Sequence, residues 1–328
     1  MTGRQTLSWR SRAQKRRYVD GLDAVEARLQ AVADSYAGPL REACGSTLAA
    51  GGKRVRPLLT LLSARRGQPL SVAVIRAAAS VELLHMATLV HDDVLDRAEL
   101  RRGRATVAHE FGVDMAVSTG NFLLARAFAE LAGTGDATAV DVLSGTAVGL
   151  SEGEVLQRRE AYDVTLGQEA YRRRCERKTA DLFAAACRLG ALLSGLDERE
   201  QHALSEYGRL LGLAFQVFDD ILDVSGEESQ TGKRLGTDVR DGTVTLPLIF
   251  ALEAQPDLAP RLRDGGSLDD AAVAEVIAEV RATGAVERAR EVALGSIDEA
   301  RRVLATCSDD VERVLLEEVA RSVVDRFS

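Results

Sequence analysis

The chain predicts an all-α fold, and three observations carry that prediction. Apolar residues recur at the three-and-four spacing of a helix face almost from end to end. The period-two alternation of a half-buried strand is almost absent, and aromatic residues, which strands favour, make up only 4%. Hydrophobic residues reach 46% with only six prolines in 328 residues, so a large core is affordable and helix breakers are few.

The punctuation sets the elements in order. Helices are expected over 20–36 and 39–50, divided at Gly38-Pro39, and over 54–66, after the stop at Gly51-Gly52. Gly67-Gln68-Pro69 ends that helix, and 70–96 follows. An Arg-rich loop, Arg97–Ala105, precedes 112–132, and Gly133-Thr134-Gly135 separates it from 137–161. Helices over 168–192 and 197–225 lead into a second loop, Ser225–Gly242, rich in Gly, Ser, Thr and charge. The remaining helices are 243–254, 268–283, 285–305 and 308–326, with Gly265-Gly266 as a break. No fixed short repeat and no long Pro/Gly/Ser linker interrupts the pattern, so 20–328 is expected to be one domain. Residues 1–19, with Arg4, Arg10, Arg12, Lys15, Arg16 and Arg17, read as a basic, disordered tail.

Charge and composition exclude several classes. A net charge of −8 argues against general nucleic-acid binding. No apolar core follows the basic N-terminus, so a secretory signal is not supported. Cys44, Cys175, Cys187 and Cys307 lack pairing or metal-type spacing and read as buried thiols of a reducing cytoplasm. No run of about 18 uncharged apolar residues suggests a membrane span.

The chemistry is concentrated in two copies of one string. Asp92-Asp93-Val94-Leu95-Asp96 recurs as Asp219-Asp220-Ile221-Leu222-Asp223, each in an apolar helical stretch. The first and last carboxylates of each copy lie four residues apart, on one helix face. Such like charges repel unless a cation compensates them. Mg²⁺ takes one or two carboxylates and fills its octahedron with phosphate oxygens and water. Two clusters on different helices therefore suggest a two-walled cage for Mg²⁺ and a polyphosphate; the bland alternative is two solvated acidic helix ends.

Basic groups accompany the clusters. Gly51-Gly52-Lys53-Arg54-Val55-Arg56-Pro57 joins a glycine loop to a helix N-terminus, a favourable place for an anion, with Lys53 and Arg56 on one side. Arg101-Arg102-Gly103 follows the first cluster, and guanidinium forks match phosphate oxygens. Lys178-Thr179 opens an apolar stretch, and Lys233 lies in the second loop. His85, seven residues before Asp92, lies on the same side of its helix and is either a satisfied core histidine or a phosphate donor. His91 orients or caps locally. A metallohydrolase built on His91-Asp92 would need further ligands, and His109 and His202 are poorly placed.

Together these strings resemble the trans-polyprenyl diphosphate synthase family. They are Gly51–Pro57, Leu89–Asp96, Arg101–Gly103, Lys178-Thr179, Phe215–Asp223, Gly232-Lys233 and Thr245–Leu248, and the similarity spans roughly residues 20–325. The resemblance implies an all-helical bundle around a deep cavity, as a homodimer, that condenses isopentenyl diphosphate with an allylic diphosphate. It implies that Asp92, Asp96 and Asp219 bind Mg²⁺, three ions per site. Arg101, Lys178, Thr179, Gln216 and Lys233 would contact the allylic diphosphate, with Arg101 and Lys178 also assisting the chemistry. Lys53, Arg56, His85 and Arg102 would hold isopentenyl diphosphate. Departure of the allylic diphosphate leaves a cation, which water would quench, hence an apolar cavity. Phe215 and Phe218 either face that cation or pack in the core. Released diphosphate is the expected proton acceptor.

Two positions depart from the family pattern. Gly120-Asn121 stands where Gly-Asp is common, and Gly242-Thr243 stands where Gly-Lys often precedes Thr-Leu-Pro. The second removes one expected contact to the allylic diphosphate. Ala87 and Thr88, about one turn before Asp92, are small, so a tunnel there stays open and products longer than fifteen carbons are expected. A geranylgeranyl product stays open as well, because Phe122 or Phe128 could close the tunnel from another helix. A terpene cyclase would lack the Gly-Gly-Lys-Arg-x-Arg-Pro site, and a non-catalytic partner subunit would tend to lose an Asp cluster; this chain keeps both.

Overall fold

The computed structural model describes residues 11–226, 235–263 and 265–325. Apart from a hairpin of Leu100–Arg101 (β1) and Arg104–Ala105 (β2), every regular element among them is helical. The helices are α1 (Arg12–Ala33), α2 (Pro39–Ala49), α3 (Val55–Leu62), α4 (Val72–Leu95), α5 (Val107–Phe111), α6 (Val113–Ala132), α7 (Ala137–Arg159) and α8 (Gln168–Cys175). A π-helical turn, Glu176–Ala180, joins α8 to α9 (Asp181–Leu193), and α10 (Glu198–Ser225) carries the second acidic string. There follow α11 (Thr237–Arg240), α12 (Leu246–Ala254), α13 (Ala259–Arg263), α14 (Asp270–Ala282), α15 (Ala285–Ala305) and α16 (Arg313–Asp325). The chain forms two compact units. One contains the chain up to Ala147 with Leu182–Gly208 and Val303–Val319; the other contains Val148–Asp181, Arg209–Arg302 and the chain from Ala320 on.

Several boundaries differ from the expected ones for local reasons. The Ser11 hydroxyl accepts from the Gln14 N–H at 3.0 Å and starts α1 at Arg12. The expected disordered tail over 1–19 is therefore helical from Arg12 onward, and Tyr18 is wholly buried; residues 1–10 lie outside the described residues. Gly112, at φ +86°, separates α6, which corresponds to the expected 112–132, from α5, a short helix before it that the expectation lacked. The expected 168–192 is interrupted by the π turn, and α16 starts at Arg313 rather than 308. The loop Ser225–Gly242 contains the short helix α11, which no apolar period announced.

The first unit is organised around α4, which packs most extensively on α6 and also meets α1 and α3. Residues Ala77–Leu84 of α4 are buried in an unbroken run, so this helix has no solvent stripe. By length and composition α4 could cross a membrane, with a window of mean hydropathy 1.5, but 61% of that window is buried inside the protein, as in a core helix. Small residues allow the close approach: the Ser80 hydroxyl donates to the Ala127 carbonyl, and the His91 ring lies directly over Gly120. In the second unit α8 packs on α12, and α12 on α14. All four cysteines are free and buried, as expected; burial pushes Cys44 up to about 11 and Cys187 up to about 12.

A matched pair of substitutions tests this packing. A Cβ on Gly190 of α9 would lie 2.0 Å from the Thr60 carbonyl oxygen of α3, so Gly190→Ala must push two helices apart. We expect a loss of about 1–3 kcal/mol in urea unfolding. At Gly45 in α2 nothing lies within 4 Å of an added Cβ, so Gly45→Ala is expected to gain about 0.5–1 kcal/mol from helix propensity.

Candidate active site

In the first unit, Gly51–Pro57 forms a cradle at the start of α3. Arg54 is the N-cap residue and holds the left-handed conformation, φ +50°, which costs a non-glycine residue about 1–2 kcal/mol. Two carboxylates hold it there. Arg54 Nε donates to Glu26 at 2.6 Å, and its Nη1 donates to Glu82 at 2.8 Å. Glu82, on α4, is 4% exposed, an acid placed among Arg54, Arg56 and Arg102. Burial pushes the Arg56 guanidinium down to about 10, against the pull of Glu82, so it remains charged at neutral pH. It stacks over the Phe183 ring at 4.5 Å, and its buried Nε has no hydrogen-bond partner among the described residues. A desolvated cation with an unused donor suits an oxyanion.

His85 sits 3.1 Å from Arg56 Nη1 through its Nε2. Burial first, then the charges of Arg56, Arg102, Arg101 and Arg54, hold its pKa well below the usual histidine value. The imidazole is thus neutral, and because Arg56 can only donate, Nε2 accepts and the proton belongs on Nδ1. His85 is satisfied by Arg56 inside the protein and lies within the cation cluster.

The hairpin after α4 brings the Arg pair back to this cradle. Arg102 (φ +54°) and Gly103 (φ +75°) make its tight turn. Arg102 donates to the Gly51 carbonyl, closing the cradle beside Arg54. Arg101 Nε pairs at 2.7 Å with Asp93, the buried middle acid of the first string, and not with Asp92 or Asp96. Asp92 is half-buried and Asp96, the C-cap of α4, is exposed. Lys53 is exposed, Ala87 is buried, and Thr88 is half-buried with its hydroxyl on the His85 carbonyl at 2.8 Å. Phe122 meets Tyr36 edge-on at 6.0 Å, and Phe128 is half-buried. A cavity of about 40 Å³ is lined by Gly51, Arg54, Glu82, His85, Asp93, Arg101 and Arg102.

In the second unit, Lys178 and Thr179 lie in the π turn, where the widened backbone re-aims successive side chains. Lys178 Nζ pairs with Glu154 of α7 at 2.7 Å. An added Cβ on Gly153 would lie 2.6 Å from the Lys178 nitrogen, so only glycine permits this approach. The Thr179 hydroxyl donates to Gln216 Oε1 at 2.6 Å, and Gln216 Nε2 donates to Asp220 at 2.8 Å. Tyr171 donates to the other oxygen of Asp220 at 2.6 Å. Burial raises Asp220 to about 7, helped by the charge of Asp219 and opposed by the bonds from Tyr171 and Gln216. Asp219 is half-buried; Asp223 accepts from the backbone N–H groups of Thr237 (3.1 Å) and Asp238 (3.0 Å), fixing the start of α11. Phe218 is wholly buried and packs as core, whereas Phe215 is half-buried. Lys233 lies outside the described residues. Thr243, which replaces the common lysine, lines a 60 Å³ cavity with Lys178, Thr179, Gln216 and Asp220. Asn121 is exposed.

No three His, Cys, Asp or Glu side chains among the described residues form a metal cage of their own. Residues 38–281 match the polyprenyl synthetase family. The chain belongs to that family. It is 43% identical over 269 residues to heptaprenyl diphosphate synthase component 2 of Geobacillus stearothermophilus, covering 82% of this chain and 84% of that one. It is 42% identical over 248 residues to nonaprenyl diphosphate synthase of Mycobacterium tuberculosis, covering 74% and 73%. Its fold superposes with TM-score 0.89 on heptaprenyl diphosphate synthase from Staphylococcus aureus, at 30% identity over 95% of this chain and 99% of that one. This polyprenyl synthetase is a trans-prenyltransferase with the all-α isoprenoid synthase fold.

Six residues of the site escaped the sequence reading as participants: Arg54, Glu82, Asp93, Glu154, Tyr171 and Asp220. Arg54, Asp93 and Asp220 stood inside the quoted strings, but a string does not say which member faces inward. Glu82, Glu154 and Tyr171 pair with residues distant in sequence and carried no local signal.

Proposed function

We propose that this synthetase extends an allylic diphosphate with isopentenyl diphosphate to an all-trans product longer than fifteen carbons, using three Mg²⁺ ions. The observation that carries it is the pairing of two acidic strings with two separate basic clusters. Arg56, with its buried unpaired Nε, and Lys53, His85 and Arg102 around the Gly51 cradle receive isopentenyl diphosphate. Lys178, Thr179, Gln216 and Lys233 receive the allylic diphosphate, together with Arg101, whose Nε is committed to Asp93 and whose Nη groups remain for phosphate. Asp92, Asp96 and Asp219 hold Mg²⁺. Bound Mg²⁺ supplies positive charge to the leaving diphosphate oxygens. The basic side chains add to that charge and fix the allylic carbon for attack by the isopentenyl double bond. The leaving diphosphate then accepts the lost proton.

Small side chains at Ala87 and Thr88 support a long product, and so do the names of the hepta- and nonaprenyl relatives. Incubation with farnesyl diphosphate, isopentenyl diphosphate and Mg²⁺ is expected to give chains beyond fifteen carbons, sized by chromatography; products that stop there reject the reading. Ala87→Phe, at a buried position, is expected to shift the product distribution shorter by one or more five-carbon units in the same assay. The working form is a homodimer in the cytoplasm. A second reading comes from the Geobacillus relative, named as one component of its synthase. Full activity of the purified chain alone selects the homodimer; activity only on adding a second protein selects the two-component form.

A further inference from the structure

Behind Lys178, four side chains form a hydrogen-bond chain whose donors converge on Asp220. Tyr171 donates to Asp220 Oδ2, Gln216 Nε2 donates to Asp220 Oδ1, and the Thr179 hydroxyl donates to Gln216 Oε1. Tyr171 is 3% exposed and Asp220 is 5% exposed, so neither can turn to bulk water for another partner. The two ends of an amide are nearly alike in size, so packing alone does not orient Gln216. Nor does Thr179, whose hydroxyl can rotate either to donate or to accept. Asp220 does in its ionised form, which the bonds from Tyr171 and Gln216 favour, because a carboxylate only accepts and so demands the N–H end of the amide.

Asp220 can meet that demand only while its second oxygen is satisfied elsewhere. Tyr171 satisfies it, with its ring held under the Arg174 guanidinium at 5.6 Å. Arg174 is itself fixed by Glu160 at 3.1 Å and by the Val244 carbonyl at 2.6 Å, so the phenol has a rigid seat. Without the phenol hydroxyl, a buried carboxylate oxygen is left without a donor, and Asp220 must turn or change partners. The amide is then free to flip, placing a carbonyl lone pair where an N–H had been.

We propose that Tyr171 is a positioning residue of the allylic diphosphate subsite. Through Asp220 it holds Gln216 with its second N–H available to a phosphate oxygen. This rests on the reading that Gln216 and Thr179 meet that diphosphate.

The test compares Tyr171→Phe with the wild type in two assays: steady-state kinetics with each substrate varied, and calorimetric titration with inorganic diphosphate and Mg²⁺. We expect the allylic KM and the diphosphate Kd to rise about 10-fold while the isopentenyl KM stays within about 2-fold. In a Gln216→Leu background, Tyr171→Phe is expected to add less than about 2-fold, because both act through one amide. Equal rises in both KM values, an unchanged Kd, or full additivity overturns the proposal. If Tyr171→Phe fails to fold, Tyr171→Gln, which keeps a donor, is measured instead; affinity close to wild type supports the proposal, and a 10-fold loss overturns it. A wild type that binds diphosphate without elongating overturns the proposed function and leaves the titration to decide the role of Tyr171. A wild type that does not bind diphosphate overturns both.

Discussion

Asp219→Asn is expected to lower kcat by on the order of 10²–10³-fold, while the unfolding midpoint moves little. The substitution keeps the size of the side chain and removes one negative charge. Asp219 is half-buried, whereas Asp223 accepts two backbone N–H bonds at the start of α11. The loss should therefore fall on metal binding and on departure of the allylic diphosphate. Titration of the rate with Mg²⁺ gives the signature: the variant should need more Mg²⁺ for half-maximal rate. Asp223→Asn makes the contrast, since one of its oxygens becomes an amide group facing a backbone N–H. Its main cost should appear in the stability of the α11 region. Wild-type turnover in the Asp219 variant would remove the second acidic string from the catalytic account.

Arg54→Ala is expected to destabilise the protein by about 3–5 kcal/mol and to raise the isopentenyl KM at least about 10-fold. Glu82 is buried and meets Arg54 at 2.8 Å, so truncating Arg54 leaves a carboxylate inside the protein with its closest partner gone. The second partner, Glu26, loses its contact at the same time. The left-handed backbone at residue 54 then has nothing to hold it, and the Gly51 cradle should relax. Arg54→Lys keeps the charge but reaches one carboxylate instead of two, so it should recover part of the stability. Urea unfolding and isopentenyl saturation curves check both effects. A stable variant with normal saturation would show that Glu82 is neutralised by Arg56 and Arg102 alone.

The legible parts of the fold were those with local causes. Helix identity follows from period and breakers, and the early start of α1 also has a local signal, Ser11 three residues before Gln14. The π turn had none, because a widened turn inside an apolar helix leaves the composition unchanged. In the site, the repeated Asp strings and the Gly-Gly-Lys-Arg-x-Arg-Pro string stood out since their charge conflicts with their apolar setting. The pairings among them did not. That Arg101 takes Asp93, that Arg102 takes Gly51, and that Glu82 serves Arg54 are consequences of tertiary packing.

Glu82 also has a consequence for how the chain is made. In an extended nascent chain, before α6 exists to cover it, α4 is a 24-residue segment with the hydropathy of a membrane span. Insertion machinery reads such a segment by its transfer free energy, and an acidic residue near the middle costs about 3 kcal/mol. Glu82 occupies that middle, with Arg76 one turn and a half before it. The carboxylate that seats Arg54 in the folded chain thus also raises the cost of placing this segment in a bilayer.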